Sequence, residues 1–185
     1  MIHVRIVAMA KNSRKLLATF KPESYDAEIS IFPEDMSFKG KVKIIGIKSG
    51  PPSHRLTFNQ QGLKVSKSSI ARHNKQVIQS VTLDRINHHH RFGEVRLHAN
   101  ERLYGGQYTV TMEYSGILDE NSKNLFLDSA KFNKKNFTDK QIKSYFSSKL
   151  LPCIDEPVPK AILNLTLIMP NSKVLISNNL NNKKY

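Results

Sequence analysis

The sequence has a single cysteine, Cys153, and no tryptophan among its 185 residues. A lone cysteine excludes an intrachain disulfide and suits a reducing compartment, so we expect a cytoplasmic protein. Cysteines of this kind are more often small buried apolar side chains than nucleophiles. The sequence therefore predicts a disulfide-free chain with Cys153 in its core.

Long hydrophobic runs are also missing. No stretch of about 18 apolar residues occurs, which predicts that no helix spans a membrane. The apolar start carries His3 and Arg5, so it lacks the uninterrupted core of a secretion signal and is interpreted as a tail or a first edge strand. With 39% hydrophobic and 24% charged residues, the composition indicates one globular domain.

Motifs that carry catalysis are absent as well. None of the seven histidines begins an H-E-x-x-H pattern, and there is neither a glycine-rich phosphate loop nor a G-x-S-x-G elbow. The cluster His88–His90 could bind a metal adventitiously, but neighbouring side chains point in different directions, so we interpret it as a solvated loop. Asp155 and Glu156 are adjacent and do not form the opposed pair that acid–base chemistry across a bond requires. The sequence thus predicts no metal site and no complete catalytic apparatus in this chain.

Acidic residues are absent between Met36 and Leu83, although the chain has a formal net charge of +14. The basic residues of this stretch are Lys39, Lys41, Lys43, Lys48, Arg55, Lys64, Lys67, Arg72 and Lys75. One interpretation is a surface for nucleic acid or another polyanion. The alternative, which we favour, is that the alternating lysines line the solvated face of a strand whose other face is apolar.

Alternation of apolar and polar residues recurs along the chain and is typical of half-buried strands. The clearest example is Gln107–Tyr114, and Tyr25–Ile31 and Phe38–Ile47 are predicted to pair. Further predicted strands are Arg55–Phe58, Leu63–Val65, Val77–Leu83, Glu94–His98, Ala161–Met169 and Val174–Ile176. Many short strands separated by turn residues, without a convincing amphipathic helix, predict an all-β sandwich of mostly antiparallel strands.

The least ordinary segment is Leu151–Ala161, here named the proline corner. It contains three prolines and the adjacent acids Asp155 and Glu156. Each proline fixes its own φ and pushes the preceding residue towards an extended conformation, so the segment is predicted to be a rigid corner that leads into a strand. On local chemistry alone it is a stiff surface turn with two solvated acids.

Several segments in order resemble the N-terminal domain of zinc aminopeptidases of the aminopeptidase N and leukotriene hydrolase type. They are Pro22–Ile31, Phe38–Val42, Arg55–Phe58, Leu63–Val65, Gly106–Gly116, Ile176–Asn178 and, most specifically, Pro152-Cys153-Ile154-Asp155-Glu156-Pro157. The resemblance implies an open, saddle-like β-sandwich over residues 20–178, between a tail at 1–19 and a polar tail at 179–185. It also implies a partner, a separate catalytic domain that carries the zinc.

The resemblance further implies a substrate-binding segment about a dozen residues before Pro152. Gln141 matches the family glutamine that lines the first side-chain pocket. Lys143 stands where the family has an acid that holds the substrate's α-amine, and Ser148 stands where it usually has arginine. A lysine near a substrate ammonium repels it, and reduced screening in a cleft strengthens the repulsion. The alternative for Gln141 is an exposed loop residue.

The sequence alone is compatible with three functions. The leading hypothesis is the non-catalytic N-terminal domain of a zinc aminopeptidase, present as a truncated or split chain, inactive alone and binding no cofactor itself. The second is a stand-alone β-sandwich interaction module, suggested by Lys143 and Ser148. The third is a basic module for nucleic acid or an anionic surface, suggested by the acid-free stretch.

Overall fold

The computed structural model of the chain describes residues 16–74, 77–118, 148–156, 161–169 and 172–177. The strands are β1 (Phe20–Phe32), β2 (Ser37–Lys48), β3 (Ser53–Asn59), β4 (Lys64–Asn74), β5 (Val77–Val81), β6 (Leu83–His89), β7 (Glu94–Leu103), β8 (Gly106–Ile117), β9 (Ile162–Met169) and β10 (Ser172–Ser177). Two short 3-10 turns, Leu16–Ala18 and His90–Phe92, accompany them.

The strands form two sheets. The large sheet has seven strands in the order β10-β9-β1-β2-β8-β4-β5, and the small sheet has three in the order β3-β7-β6. Neighbouring strands are antiparallel except β1 and β9, which run parallel. The predicted all-β sandwich of mostly antiparallel strands is confirmed. In the part of the chain that the structure describes, no helix is long and apolar enough to cross a membrane.

The core lies between the two sheets and follows from the alternation in the sequence. In β1, β2 and β8 buried residues alternate with exposed or half-buried ones, as expected for a side-chain period of two. The buried residues of the central strands include Tyr25, Ala27, Ile29, Ile31, Val42, Ile44, Tyr108, Val110, Met112 and Tyr114, opposite Leu56, Phe58, Val95 and Leu97 of the small sheet. The rings of Phe20 and Phe58 meet edge to face across the sheets, with centroids 5.5 Å apart.

Lys39, Lys41 and Lys43 of β2 lie on its solvated face, as predicted, whereas Lys48 at the end of β2 is buried. Lys39, Lys41 and Lys43 are exposed, whereas the residues between and beside them pack into the core. On the neighbouring strands Glu113 lies 3.9 Å from the Lys41 ammonium and 3.8 Å from that of Lys67. An acid from a distant part of the sequence thus compensates part of the charge of the acid-free stretch.

The interpretation of His88–His90 as a solvated loop is wrong in part. His88 and His89 belong to β6, and His90 begins the 3-10 turn that follows. The apolar–polar alternation of β6 is not evident in the sequence, because His88 and His89 occupy half-buried positions that apolar residues usually fill. His88 faces the large sheet, where its Nε2 accepts the Val65 N–H at 2.9 Å.

The predicted tails are described only in small part. Of residues 1–19, the structure describes 16–19, where Leu16 is buried at the start of a 3-10 turn. The predicted polar tail, residues 179–185, lies outside the described residues.

Candidate functional site

The proline corner, described over residues 151–156, pairs with the end of β3. The Asn59 N–H donates to the Cys153 carbonyl at 2.7 Å, and the Cys153 N–H donates back to the Asn59 carbonyl at 3.1 Å. The Asn59 side chain adds a third bond, because its Oδ1 accepts the Asp155 N–H at 2.9 Å. The corner therefore extends the small sheet by one short antiparallel bridge at the edge of β3.

The same corner also binds the large sheet. The Ile154 N–H donates to the phenolic oxygen of Tyr25, a residue of β1, at 3.1 Å. Tyr25 is buried, and burial, followed by the nearby Cys153, raises its pKa. The phenol is consequently neutral and serves as an acceptor for a backbone group that would otherwise be buried without a partner.

Both acids of the corner accept hydrogen bonds. The Asp155 Oδ2 accepts the Ser148 hydroxyl at 3.1 Å, and the Glu156 Oε1 accepts the Leu17 N–H at 3.1 Å. Both residues are half-buried, and Pro152, Cys153 and Ile154 before them are buried. The local interpretation as a surface turn with two solvated acids is therefore wrong, because partners distant in the sequence enclose the corner.

Cys153 is a buried core residue, as predicted. Its side chain is 3% exposed, and burial, followed by the Asp155 carboxylate, raises the pKa of its thiol well above the ordinary value. Since the thiolate is the reactive form, this cysteine is a poor nucleophile. Its contribution to the corner is packing.

Ser148 fixes the chain just before the corner. It is 1% exposed, its carbonyl accepts the Gln61 N–H at 2.7 Å, and its hydroxyl donates to Asp155. The resemblance places Gln141 and Lys143 seven and five residues earlier, outside the described residues, as is Pro157 of the corner. The structure thus describes Ser148 but not the predicted substrate-binding residues before it.

Sequence reasoning missed the two residues that hold the corner. Asn59 lies just beyond the predicted strand Arg55–Phe58, and Tyr25 is only the first residue of the predicted strand Tyr25–Ile31. A polar side chain at the end of a strand is the one local signal for Asn59, since such residues often bond to backbone groups. Nothing local distinguishes Tyr25 from other buried tyrosines.

The histidine-rich segment is engaged in packing and hydrogen bonds. The ring of His90 stacks on that of His88 with centroids 6.2 Å apart, and the His89 Nε2 lies 3.2 Å from an Arg96 nitrogen. Over the residues that the structure describes, no group of three His, Cys, Asp or Glu side chains is placed to hold a metal ion.

Comparison with known proteins gives one consistent result. The family model of the peptidase M1 N-terminal domain matches residues 21–185. Aminopeptidase N of Lactococcus lactis subsp. lactis (strain IL1403) is 26% identical over 169 residues, which are 89% of this chain and 18% of that protein. Aminopeptidase M1-A of Oryza sativa subsp. japonica is 24% identical over 159 residues, 85% of this chain and 18% of that protein.

A third relative matches a shorter region more closely. Aminopeptidase N of Rattus norvegicus is 35% identical over 76 residues, 40% of this chain and 8% of that protein. The chain spans 18% of the length of the bacterial and plant relatives that it matches almost throughout.

Proposed function

Because the chain belongs to the peptidase M1 N-terminal domain family, we propose that it is the non-catalytic N-terminal domain of a zinc aminopeptidase. In this proposal it docks on a catalytic domain, in the same polypeptide or in a second one, and helps to form the pocket for the substrate's N-terminus. The observation that carries the proposal is the family match over residues 21–185.

The zinc and the catalytic groups belong to the other domain in this proposal. The sequence has no H-E-x-x-H pattern, in which two histidines bind zinc and a glutamate acts as the base. The chain alone is therefore expected to be inactive. Its free, buried Cys153 fits a reducing, cytoplasmic setting.

The proline corner supports a positioning role. It is bonded to β3 through Asn59 and to β1 through Tyr25, so its backbone is tied to both sheets. Ser148 is tied to the same corner. We propose that Gln141 lines the first side-chain pocket, and that Lys143 weakens recognition of the substrate's amine.

Affinity capture tests the proposal. The tagged chain is incubated with an extract of its own organism, and bound proteins are identified by mass spectrometry and assayed with an amino-acid amide. We expect an H-E-x-x-H protein of the same family and zinc-dependent hydrolysis in the eluate. The heat-unfolded chain is the control. Capture of partners that include no such peptidase would contradict the proposal, provided that the native chain and not the control retains them.

A stand-alone interaction module is the second candidate, favoured by Lys143 at the position of the family acid. For this module the same experiment predicts specific partners without peptidase activity. The nucleic-acid candidate is weaker, because Lys41 and Lys67 both lie within ion-pair distance of Glu113.

A further inference from the structure

The outer face of the small sheet carries a row of three basic residues. Arg55 of β3 pairs with His98 of β7, and His98 pairs on its other side with Arg85 of β6. Directly opposed residues in a sheet project to the same face, with Cβ atoms about 4.5–5.5 Å apart. The imidazole therefore lies between two guanidinium-bearing side chains.

The strand pairing is irregular on both sides of this row. The register shifts between Ser53 and Arg55 on β3 and between Leu83 and Arg85 on β6. Such irregularities increase the local twist and re-aim side chains, and they are common beside binding sites. From Arg55, His98 and Arg85 onward the strand pairing is regular. Arg96, two residues before His98 on β7, projects from the same face of the small sheet.

His98 has a ring nitrogen without a hydrogen-bond partner. Its Nε2 is buried and has no hydrogen-bond partner, although buried polar atoms in proteins are nearly always paired. Burial, followed by Arg85 and Arg55, lowers the pKa of His98, so the imidazole is neutral at pH 7. Asp84 acts in the opposite direction, and Arg96 adds to the lowering.

Positive charge is in excess at the row. Arg85 bonds to Asp84 at 2.8 Å, and Arg96 is bonded twice to Glu94, at 2.8 and 3.0 Å. Within the described part of the chain, no acid lies within ion-pair distance of Arg55, and its side chain is exposed. The donors of Arg55 are accordingly available to a ligand from solvent.

We propose that Arg55, His98 and Arg85 form an oxyanion site that takes a phosphate group, free or as a small monoester. A guanidinium on each side supplies paired N–H donors, and the His98 Nε2–H gains the acceptor that it lacks. Three donor groups from three strands suit a tetrahedral anion with several oxygens better than a carboxylate with two. The exposed arginine side chains can swing aside to admit the anion.

This site is separate from the proline corner and does not depend on the proposed function. Arg55 lies four residues before Asn59 on β3, about 13 Å along the strand.

Phosphate titration of the whole chain tests the proposal. Histidine ring signals are followed by NMR at constant ionic strength while inorganic phosphate replaces chloride. We expect a saturable shift of the His98 signals and a rise in the pKa of His98 on binding. Phenyl phosphate competes if the site takes monoesters, and does not compete if it takes the free ion alone.

Variants separate the site from general charge effects. Arg55→Gln should weaken phosphate binding about tenfold or more, because one of the two flanking guanidiniums is removed. Arg102→Gln, which removes the same charge from an exposed position on β7, should leave binding unchanged. A shift that does not saturate, equal binding by Arg55→Gln, or equal competition by acetate would overturn the proposal.

Discussion

At the scale of single residues, the proline corner is held by residues that are distant in the sequence and cannot be identified from the residues around the corner. Asn59 and Tyr25 lie 96 and 129 positions from the backbone groups that they bind. The prolines predicted a rigid corner, and that part of the prediction rests on local sterics. Its burial could not be predicted, because it depends on which strand ends meet in space.

Replacing Asn59 tests the importance of this contact. Asn59→Ala leaves the half-buried Asp155 N–H without its acceptor, so the free energy of unfolding should fall by about 1–3 kcal/mol. Urea unfolding measures the change. Asn100→Ala, at an exposed position on β7, is the matched control and should change stability by no more than about 0.5 kcal/mol. Equal effects of the two substitutions would argue against a specific role for Asn59.

The thiol of Cys153 should be unreactive in the folded protein. Its pKa is raised by burial, so little thiolate exists at pH 8, and the side chain is closed to solvent. A disulfide reagent at that pH should label the chain only after urea is added. Rapid stoichiometric labelling of the native protein would show that the corner opens readily.

Lys143 gives a residue-scale prediction for the proposed enzyme. In the complex with the catalytic domain, Lys143→Glu should lower KM for an amino-acid amide about tenfold with a smaller effect on kcat, because attraction of the substrate's ammonium replaces repulsion. Lys43→Glu makes the same charge change on the exposed face of β2 and is the control. An unchanged KM in Lys143→Glu would place this residue away from the substrate.

At the scale of elements, strands with clear alternation were predicted well. The period of two is a local property, and β1, β2 and β8 show it in their sequences. It failed at β6, where histidines take half-buried positions. The parallel pairing of β1 with β9 could not be predicted either, since it joins segments more than a hundred residues apart.

The contact between β4 and β6 predicts a pH dependence of stability. His88 accepts the Val65 N–H through Nε2, and burial, then His90 and Lys64, lower its pKa from the ordinary value. Above about pH 6.5 both the folded and the unfolded chain hold a neutral His88. Below it the unfolded chain binds the proton more readily, so the free energy of unfolding falls until the lower folded pKa is passed.

Substitution of His88 isolates this contribution. His88→Gln retains an acceptor without a titratable group, so the loss of stability below about pH 6.5 should be smaller than in the parent chain. His54→Gln, at an exposed position on β3, should leave the loss unchanged. The measurement is urea unfolding at several pH values. A pH dependence unaffected by His88→Gln would assign the effect to other groups, such as His98, whose pKa is also lowered.

At the scale of the whole molecule, the chain is a β-sandwich of the peptidase M1 N-terminal domain family. The family was predictable because its most specific segment, the proline corner, is a continuous motif. The candidate site was predictable only in part, since the corner's partners come from β1 and β3 and the residues implied for the substrate pocket lie outside the described residues.

The measurement that tests the central claim most directly is the hydrolysis of an amino-acid amide in the presence of zinc. It compares the purified chain, the family's catalytic domain from the same organism, and the two together. We predict no turnover by this chain, and turnover by the combination at least about tenfold above that of the catalytic domain alone, abolished by a zinc chelator. Zinc-dependent turnover by this chain alone, or a catalytic domain indifferent to its presence, would contradict the account.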